Sequence, residues 1–152
     1  MILDKVDLQL LNLLQEDAKI THKKLSVSLN LSTTAVYERI KKLEKSGIIK
    51  KYTALLDRKV LGKELMVMAH LRLDRHSRDN ITDFEQQISL LKEVHECYHV
   101  SGEYDYILKM TFSDMDAYRD FMVRKLTSIP GVGNSHSMFV INEVKNEVGY
   151  KL

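Results

Sequence analysis

The chain has 152 residues, 44% of them hydrophobic and 29% charged, a balance typical of globular proteins that excludes disordered and collagen-like classes. No apolar run approaches the roughly 20 residues that cross a bilayer, and the start of the chain carries acids where a secretory signal carries bases. We therefore expect a cytoplasmic protein without a membrane segment, and the single Cys97 agrees with a reducing compartment.

The net charge of +2 is unevenly distributed along the chain. Residues 1 to 63 hold 13 basic against 7 acidic side chains, and residues 64 to 152 hold 10 against 14. We predict two domains with these limits, of which the basic first one contacts a polyanion. Ordinary surface solvation would explain the same asymmetry, so charge alone leaves both interpretations open.

The first domain begins with a predicted helix that Asp4 caps, with Asp7 three residues further on. Thr21 is positioned to cap a second helix and Ser32 a third, and only residues 30 to 32 separate those two helices. Asn30 tolerates the left-handed backbone that such a sharp corner requires. Three short helices with a tight final corner predict a helix-turn-helix.

The third helix carries a narrow apolar stripe at Val36, Ile40 and Leu43, so its other faces point outward. An exposed helix of this kind enters a DNA major groove, where polar side chains read base edges and lysines bind phosphates. The candidate DNA-binding residues are Ser32, Thr33, Thr34, Tyr37, Glu38, Lys41, Lys42, Lys45, Lys50 and Lys51. We assign the last four to phosphates. Arg39, beside the stripe, either belongs to this outward surface or has a structural role, lying along the helix pair or binding an acid.

After Gly47, the β-forming stretch IIKKYTALLD predicts a short strand that leads into a linker around Gly62. From residue 64 the periodicity predicts the order β, α, β, β, α, β, which is the ferredoxin-like order. The predicted fold class is therefore α+β, with a winged-helix-like helix-turn-helix domain joined to a ferredoxin-like domain. Ser113 with Asp116 predicts a capping box at the second helix, and HSMFVINEV predicts the last strand.

Two predicted strands of this sheet are apolar on both faces, since Met66 and Met68 alternate with Val67, and Met138 alternates with Phe139. Helices on one face leave the other face uncovered, and an uncovered apolar face requires a partner. We therefore predict a homodimer, which also suits recognition of a two-fold DNA site.

The stretch HECYH contains three side chains of the types that bind metal ions. His95, Cys97 and His99 alternate on a predicted strand, which places three metal-ligand types on one face and keeps a metal-sensing regulator as an alternative; a plain strand fits the same pattern. We find no glycine-rich phosphate loop and no paired-carboxylate pattern, so we expect neither an enzyme nor a bound cofactor.

The turn SGEYDY, with Ser101, Gly102, Tyr104 and Asp105, fits a hairpin turn on its own.

The chain as a whole resembles the Lrp/AsnC regulators. The resemblance to their DNA-binding half lies in the stretches LDKVDLQLLNLLQEDAKIT and LNLSTTAVYERIKKLEKSGIIKKYTALLD and in the LG that follows, and the second half of the chain resembles their effector-binding RAM domain. Asn30 departs from the glycine usual in that family. The resemblance implies that the SGEYDY turn helps to bind a free amino acid between dimers, and that dimers assemble into octamers.

The predicted loop GVGNSHS adds Asn134 and Ser135 as possible hydrogen-bonding partners of that effector. We therefore predict a sequence-specific transcriptional regulator that responds to an amino acid or related metabolite. A ligand-independent protein that wraps DNA remains the main alternative. The sequence identifies neither the effector nor the operator.

Overall fold

A computed structural model describes residues 2 to 147 and 149 to 152. The chain divides into two compact units, the first comprising Met1–Leu55 with Lys145–Leu152 and the second comprising Leu56–Val144. Among the described residues, no helix is long and apolar enough to cross a membrane.

The first unit contains three helices, α1 (Lys5–Glu16), α2 (His22–Leu29) and α3 (Thr33–Lys45). Each helix presents leucine or branched aliphatic side chains to a common core, because these side chains recur at helical spacing. The fully or nearly fully buried members of that core are Leu10, Leu11, Leu25, Val36, Ile40 and Leu43.

The predicted helix starts and the sharp corner are confirmed. Asp4 accepts a 2.7 Å hydrogen bond from the Asp7 amide, and the Asp7 carboxylate accepts one from the Asp4 amide at 3.2 Å. The hydroxyls of Thr21 and Ser32 likewise accept hydrogen bonds from backbone N–H groups in the first turns of α2 and α3, those of Lys24 and Ala35 respectively. Asn30 ends α2 with φ 52° and ψ 47°, the left-handed conformation that redirects the chain into α3.

The predicted strand over IIKKYTALLD is wrong, since the described residues between 46 and 64 contain no strand. Tyr52, Leu55 and Leu56 are exposed, and the chain then forms a turn in which the Leu61 amide donates to the Asp57 carbonyl at 3.2 Å and the Lys63 amide donates to the Arg58 carbonyl at 2.8 Å. β-forming side chains favour a strand only where another strand satisfies its backbone groups, and no strand pairs with this segment.

The second unit has the predicted βαββαβ order. Its elements are β1 (Leu65–Leu73), α4 (Arg78–Ser89), β2 (Val94–His99), β3 (Tyr106–Phe112), α5 (Met115–Phe121) with a π-helical turn (Met122–Leu126), and β4 (Val132–Phe139). The four strands form one antiparallel sheet in the order β2-β3-β1-β4.

The helices cover one face of this sheet, where alternate residues such as Val67, Leu71 and Leu108 are fully buried. Met68, Lys109 and Met138 are paired neighbours on the other face, which we call the open face. The prediction of a wholly apolar second face is only partly right, because polar and aromatic side chains share the open face with the methionines.

Three predicted boundaries were wrong. Asp114, not Ser113, caps α5 by accepting the Ala117 amide at 2.8 Å. β4 begins at Val132, so GVGNSHS belongs mostly to a strand, because its backbone pairs with the end of β1. β4 also ends at Phe139, which leaves Ile141 fully exposed.

Candidate DNA-binding and effector sites

The outward face of α3 is the candidate DNA-binding surface. Val36, Ile40 and Leu43 are buried against the other helices, whereas all ten of the predicted DNA-binding residues are exposed. Four of them, Glu38, Lys41, Lys42 and Lys45, line one shared surface depression. Because these side chains project from one rigid helix, they are presented as a set.

Arg39 binds acids rather than extending toward that surface. Its guanidinium donates to Asp4 Oδ2 at 2.8 Å and to Asp7 Oδ1 at 2.6 Å. Hydrogen bonds to these two carboxylates raise the pKa of Arg39, and bonds from the Asp7 amide and then from Arg39 lower the pKa of Asp4. Since both acids belong to the start of α1, Arg39 fixes α3 against α1.

Local contacts hold two other residues of this surface. The Tyr37 ring lies 5.8 Å from the His22 ring, in edge orientation, and 5.7 Å from Lys41 Nζ. The Ser32 hydroxyl accepts the Ala35 amide at 3.1 Å, so its acceptor role is used within the helix cap. Ser32 therefore differs from its neighbours Thr33 and Thr34, whose hydroxyls have no such role in a cap.

The loop between β2 and β3 is the candidate effector site. Gly102 has φ 127°, a conformation that side-chain-bearing residues rarely adopt, while Ser101 is exposed beside it. The loop closes through backbone hydrogen bonds from Val100 to Asp105 and from Asp105 to Leu71, each 2.8 Å long. The turn that the sequence predicts is therefore present and is attached to the end of β1.

Asp105 is the most constrained side chain of this loop. Its Oδ2 accepts the Leu73 amide at 2.7 Å, and its Oδ1 lies 2.8 Å from His76 Nε2. Burial opposes the charged carboxylate, but the Leu73 amide and the adjacent His76 outweigh that effect and hold the pKa of Asp105 below its usual range. Both oxygens are thus engaged within the protein.

Tyr104 turns toward the open face, where it meets two histidines. Its ring centroid lies 5.1 Å from that of His70 and 6.5 Å from that of His136, and the two histidines are 6.2 Å apart. Sequence reasoning did not find His70, His76 or His136 as neighbours of this loop. The pairing of β1 with β4 brings His70 and His136 together, and His76 reaches the loop from the segment between β1 and α4; no local motif signals either contact.

Asn134 and Ser135 lie in β4 at the same end of the sheet. Ser135 pairs with Leu71, and the Asp105 amide donates to the carbonyl of that same Leu71. Successive side chains of a strand point to opposite faces, so Asn134 and Ser135 cannot both face one ligand on one side of the sheet.

His95, Cys97 and His99 do not share one face as predicted, because an irregularity between Val94 and Glu96 shifts the register of β2. His95 Nε2 lies 2.6 Å from Thr111 Oγ1, whereas His99 stacks on Tyr106, which belongs to the helix-covered face. Burial and the charge of Glu85 raise the pKa of Cys97 to about 11. Within the described residues, no three acidic, histidine or cysteine side chains are grouped to hold a metal ion.

Comparison with known proteins places both units in one family. Residues 3–50 match the winged helix-turn-helix DNA-binding model, and residues 66–150 match the Lrp/AsnC ligand binding domain. The chain is 39% identical to the leucine-responsive regulatory protein of Escherichia coli K12 over 143 residues, which are 94% of this chain and 87% of that protein.

Solved structures give the same result. A Neisseria meningitidis transcriptional regulator in complex with L-Met superposes with a TM-score of 0.91 at 34% identity, covering 96% of this chain and 94% of that chain. An AsnC family regulator from Agrobacterium tumefaciens gives a TM-score of 0.92 at 31% identity, covering 97% and 96%.

Proposed function

This chain belongs to the Lrp/AsnC family of transcriptional regulators, and we propose that its own regulatory cycle joins DNA binding by α3 to the binding of a free amino acid near residues 101 to 105. The observation that carries the DNA-binding half is the exposure of all ten candidate side chains, seven of which lie on α3, the helix that Arg39 anchors. We propose residues 1 to 63 as the DNA-binding domain and residues 64 to 152 as the effector domain, in the cytoplasm.

The candidate residues of α3 and of the segment that follows it divide into two roles under this proposal. Thr33, Thr34, Tyr37, Glu38 and Lys41 read base edges from the first half of the helix, where a recognition helix approaches the groove floor. Lys42, Lys45, Lys50 and Lys51 bind phosphates, which position the helix without reading sequence. Ser32 contributes as the cap that starts the helix.

The effector half rests on the chemistry of the loop. A free amino acid has an ammonium group and a carboxylate, so its site requires an anion or carbonyls and, opposite these, N–H donors. Asp105 supplies the anion, and the turn at Ser101 and Gly102 supplies backbone amides. Tyr104 provides an apolar ring for the ligand side chain, with Asn134 or Ser135 adding one hydrogen bond. The Neisseria relative, determined with L-Met, supports this class of ligand.

Self-association completes the proposal. Met68 and Met138 pair on the open face, and Met138 retains 41% of its accessible surface. A second copy related by a two-fold axis would cover this face and place two α3 helices on one DNA site, and dimers would assemble further into octamers. Light scattering tests the dimer. Met68→Glu should dissociate it, whereas Val123→Glu, an equally charged change at an exposed helical position of the same unit, should not.

The DNA-binding roles are tested by salt-titrated binding to matched and scrambled operators. Lys45→Ala should weaken binding to all duplexes alike and reduce the salt slope by about one unit, because one phosphate contact is lost. Glu38→Ala should instead relax the preference for the matched operator. A change in sequence preference with Lys45→Ala and none with Glu38→Ala would show that α3 is oriented differently.

The effector role is tested by calorimetry with the common amino acids, followed by DNA binding with and without the amino acid that binds best. Asp105→Asn keeps the side-chain shape and an acceptor for the Leu73 amide but removes the charge, so the amino-acid response should be lost. Glu103→Gln removes a neighbouring, exposed charge of the same loop and serves as the control. If no amino acid binds the wild type at millimolar concentration, the ligand-independent DNA-wrapping alternative is favoured.

A further inference from the structure

The polar face of α1 carries a set of contacts that DNA binding and effector binding leave unexplained. The side-chain carboxamide of Gln15 makes two hydrogen bonds with the backbone of Tyr150. Its Nε2 donates to the Tyr150 carbonyl oxygen at 2.9 Å, and its Oε1 accepts a hydrogen bond from the Tyr150 N–H at 2.7 Å. The side-chain carboxamide of Asn12 repeats this arrangement with Leu152. Its Nδ2 donates to the Leu152 carbonyl oxygen at 3.0 Å, and its Oδ1 accepts a hydrogen bond from the Leu152 N–H at 3.3 Å. Residues 149 to 152 are called the tail below.

These four hydrogen bonds follow the pattern by which a neighbouring strand binds an extended segment. In a sheet, alternate residues exchange both backbone groups with the partner. Here two carboxamides, three residues apart on a helix and therefore on one face, exchange hydrogen bonds with alternate tail residues. The tail is thus bound through its backbone, in a fixed register.

Gly149 extends the fit on the tail side. Its φ is +151°, and a Cβ at this position would lie 2.9 Å from Gln15 Oε1, the atom that accepts the Tyr150 amide. A side chain there would both strain the backbone and crowd this acceptor. The glycine therefore permits the close approach of the tail to α1.

The docked tail changes how the two units are connected. The chain leaves the first unit after Leu55 and returns to it after Val144, so the tail belongs to the helical unit although it follows the sheet domain in sequence. α1, to which the tail binds, is in turn fixed to α3 by Arg39. We propose that Asn12 and Gln15 form a docking site for this chain's own tail, which acts as a releasable second tether on the DNA-binding unit.

Release of the tail would leave the segment around residues 56 to 64 as the only connection between the two units, because the second one depends on the hydrogen bonds of the tail. That segment has no strand within the described residues, and the DNA-binding unit would then reorient more freely. Under this proposal the tail alternates between the docked arrangement and a released one, and a switch of this kind couples one domain to another.

The first test is hydrogen exchange measured by mass spectrometry on the full chain without DNA or effector. Asn12→Leu with Gln15→Met removes all four hydrogen bonds, keeps a similar side-chain shape at both positions, and introduces only residues that favour the helix. Exchange of tail amides should rise about tenfold or more. Gly149→Ala should give the same result from the tail side. Gln9→Met, an exposed glutamine on the same helix, should leave tail exchange unchanged and serves as the control.

The second test asks whether the docked tail restrains the unit. A dye on Val27→Cys, an exposed position of α2, in a Cys97→Ala background reports the motion of the helical unit by time-resolved fluorescence anisotropy. The amplitude of the fast decay should at least double in the Asn12→Leu, Gln15→Met variant and in Gly149→Ala.

Three results would overturn the proposal: tail amides that exchange at random-coil rates in the wild type, tail protection that survives Asn12→Leu with Gln15→Met, or loss of protection without any gain in fast motion. None of these readouts requires DNA or an amino acid. If these experiments contradict the tether, the proposed regulatory function is unaffected. If experiments with DNA and amino acids contradict that function, the result for the tether is likewise unaffected.

Discussion

The helical unit and the sheet unit carry their functional residues in opposite ways. The helical unit has a small core and places its candidate residues on an exposed helix surface, where most of them have few internal contacts. The sheet unit has a core about twice as large, and its key candidate, Asp105, is engaged by Leu73 and His76. Substitutions at the exposed positions of α3 therefore test recognition directly, whereas substitutions at the loop also test folding.

The largest expected effect comes from truncating a core side chain in each unit, which tests whether the smaller core tolerates the loss less well. Leu43 and Leu108 are both fully buried, one in each unit, so Leu43→Ala and Leu108→Ala each leave a cavity that costs about 2–5 kcal/mol. The same loss is a larger share of the stability of the small helical unit. We expect Leu43→Ala to unfold α1 to α3 while the sheet remains folded.

Urea denaturation followed by circular dichroism and by exchange in each unit measures this outcome. Leu108→Ala is the matched control, since the removed atoms are the same. Equal loss of structure in both units with Leu43→Ala would mean that the units unfold as one.

The next effect concerns Arg39 and Asp7, whose side chains are 31% and 7% exposed. Arg39→Ala leaves the buried Asp7 carboxylate without its charged partner, and we expect a loss of about 1–3 kcal/mol. Asp7→Ala with Arg39→Ala should be less destabilising than the sum of the single changes, because it removes both members of the pair. Thermal or urea unfolding of the four proteins gives the coupling free energy. A coupling near zero would contradict the anchoring role.

Asp105 gives a smaller effect that depends on pH. Because its pKa is lowered in the folded state, the ionised carboxylate stabilises the protein above the unfolded value near 3.9, and this stabilisation is lost as the pH falls through the folded value. Asp105→Ala should cost about 1–2 kcal/mol at pH 7, and Asp105→Asn less, since one acceptor remains.

Unfolding measured between pH 2 and pH 7 tests this sign. The wild type should lose stability relative to Asp105→Asn only below about pH 4, where the unfolded carboxyl group binds a proton while the folded one, with its lowered pKa, still resists protonation. A constant difference across that range would show that the charge of Asp105 contributes nothing to the fold.

The two units also differ in how much of each the sequence predicts. Helix caps are local, so Asp4, Thr21 and Ser32 were assigned correctly from spacing alone. Strand limits depend on partners distant in sequence, which is why β4 begins earlier than predicted and why the strand expected near Tyr52 does not form.

The candidate sites follow the same rule. The outward face of α3 follows from helical periodicity, whereas the contacts of Asp105 with His76 and of Tyr104 with His70 join residues about thirty positions apart. The docking of Tyr150 against Gln15 spans most of the chain, and no pattern in the tail signals it. Long-range hydrogen bonds between short polar segments have no periodic signature.

The smallest expected effect concerns the corner between α2 and α3, where the local sequence preference depends on a single residue in the left-handed conformation. Asn30 has φ 52° and ψ 47°, so replacement by alanine forces a Cβ into the left-handed region and should cost about 1 kcal/mol. Asn30→Gly removes the residual strain of a side chain in this conformation, which stabilises the protein, but it also gives the unfolded chain more conformational freedom, which destabilises it. Because the two effects oppose each other, we expect the free energy of unfolding to change by no more than about 0.5 kcal/mol. Urea midpoints of the three proteins distinguish the cases. If Asn30→Ala is as stable as the wild type, the corner is held by the core around Leu25 and Val36 rather than by the backbone preference of one residue.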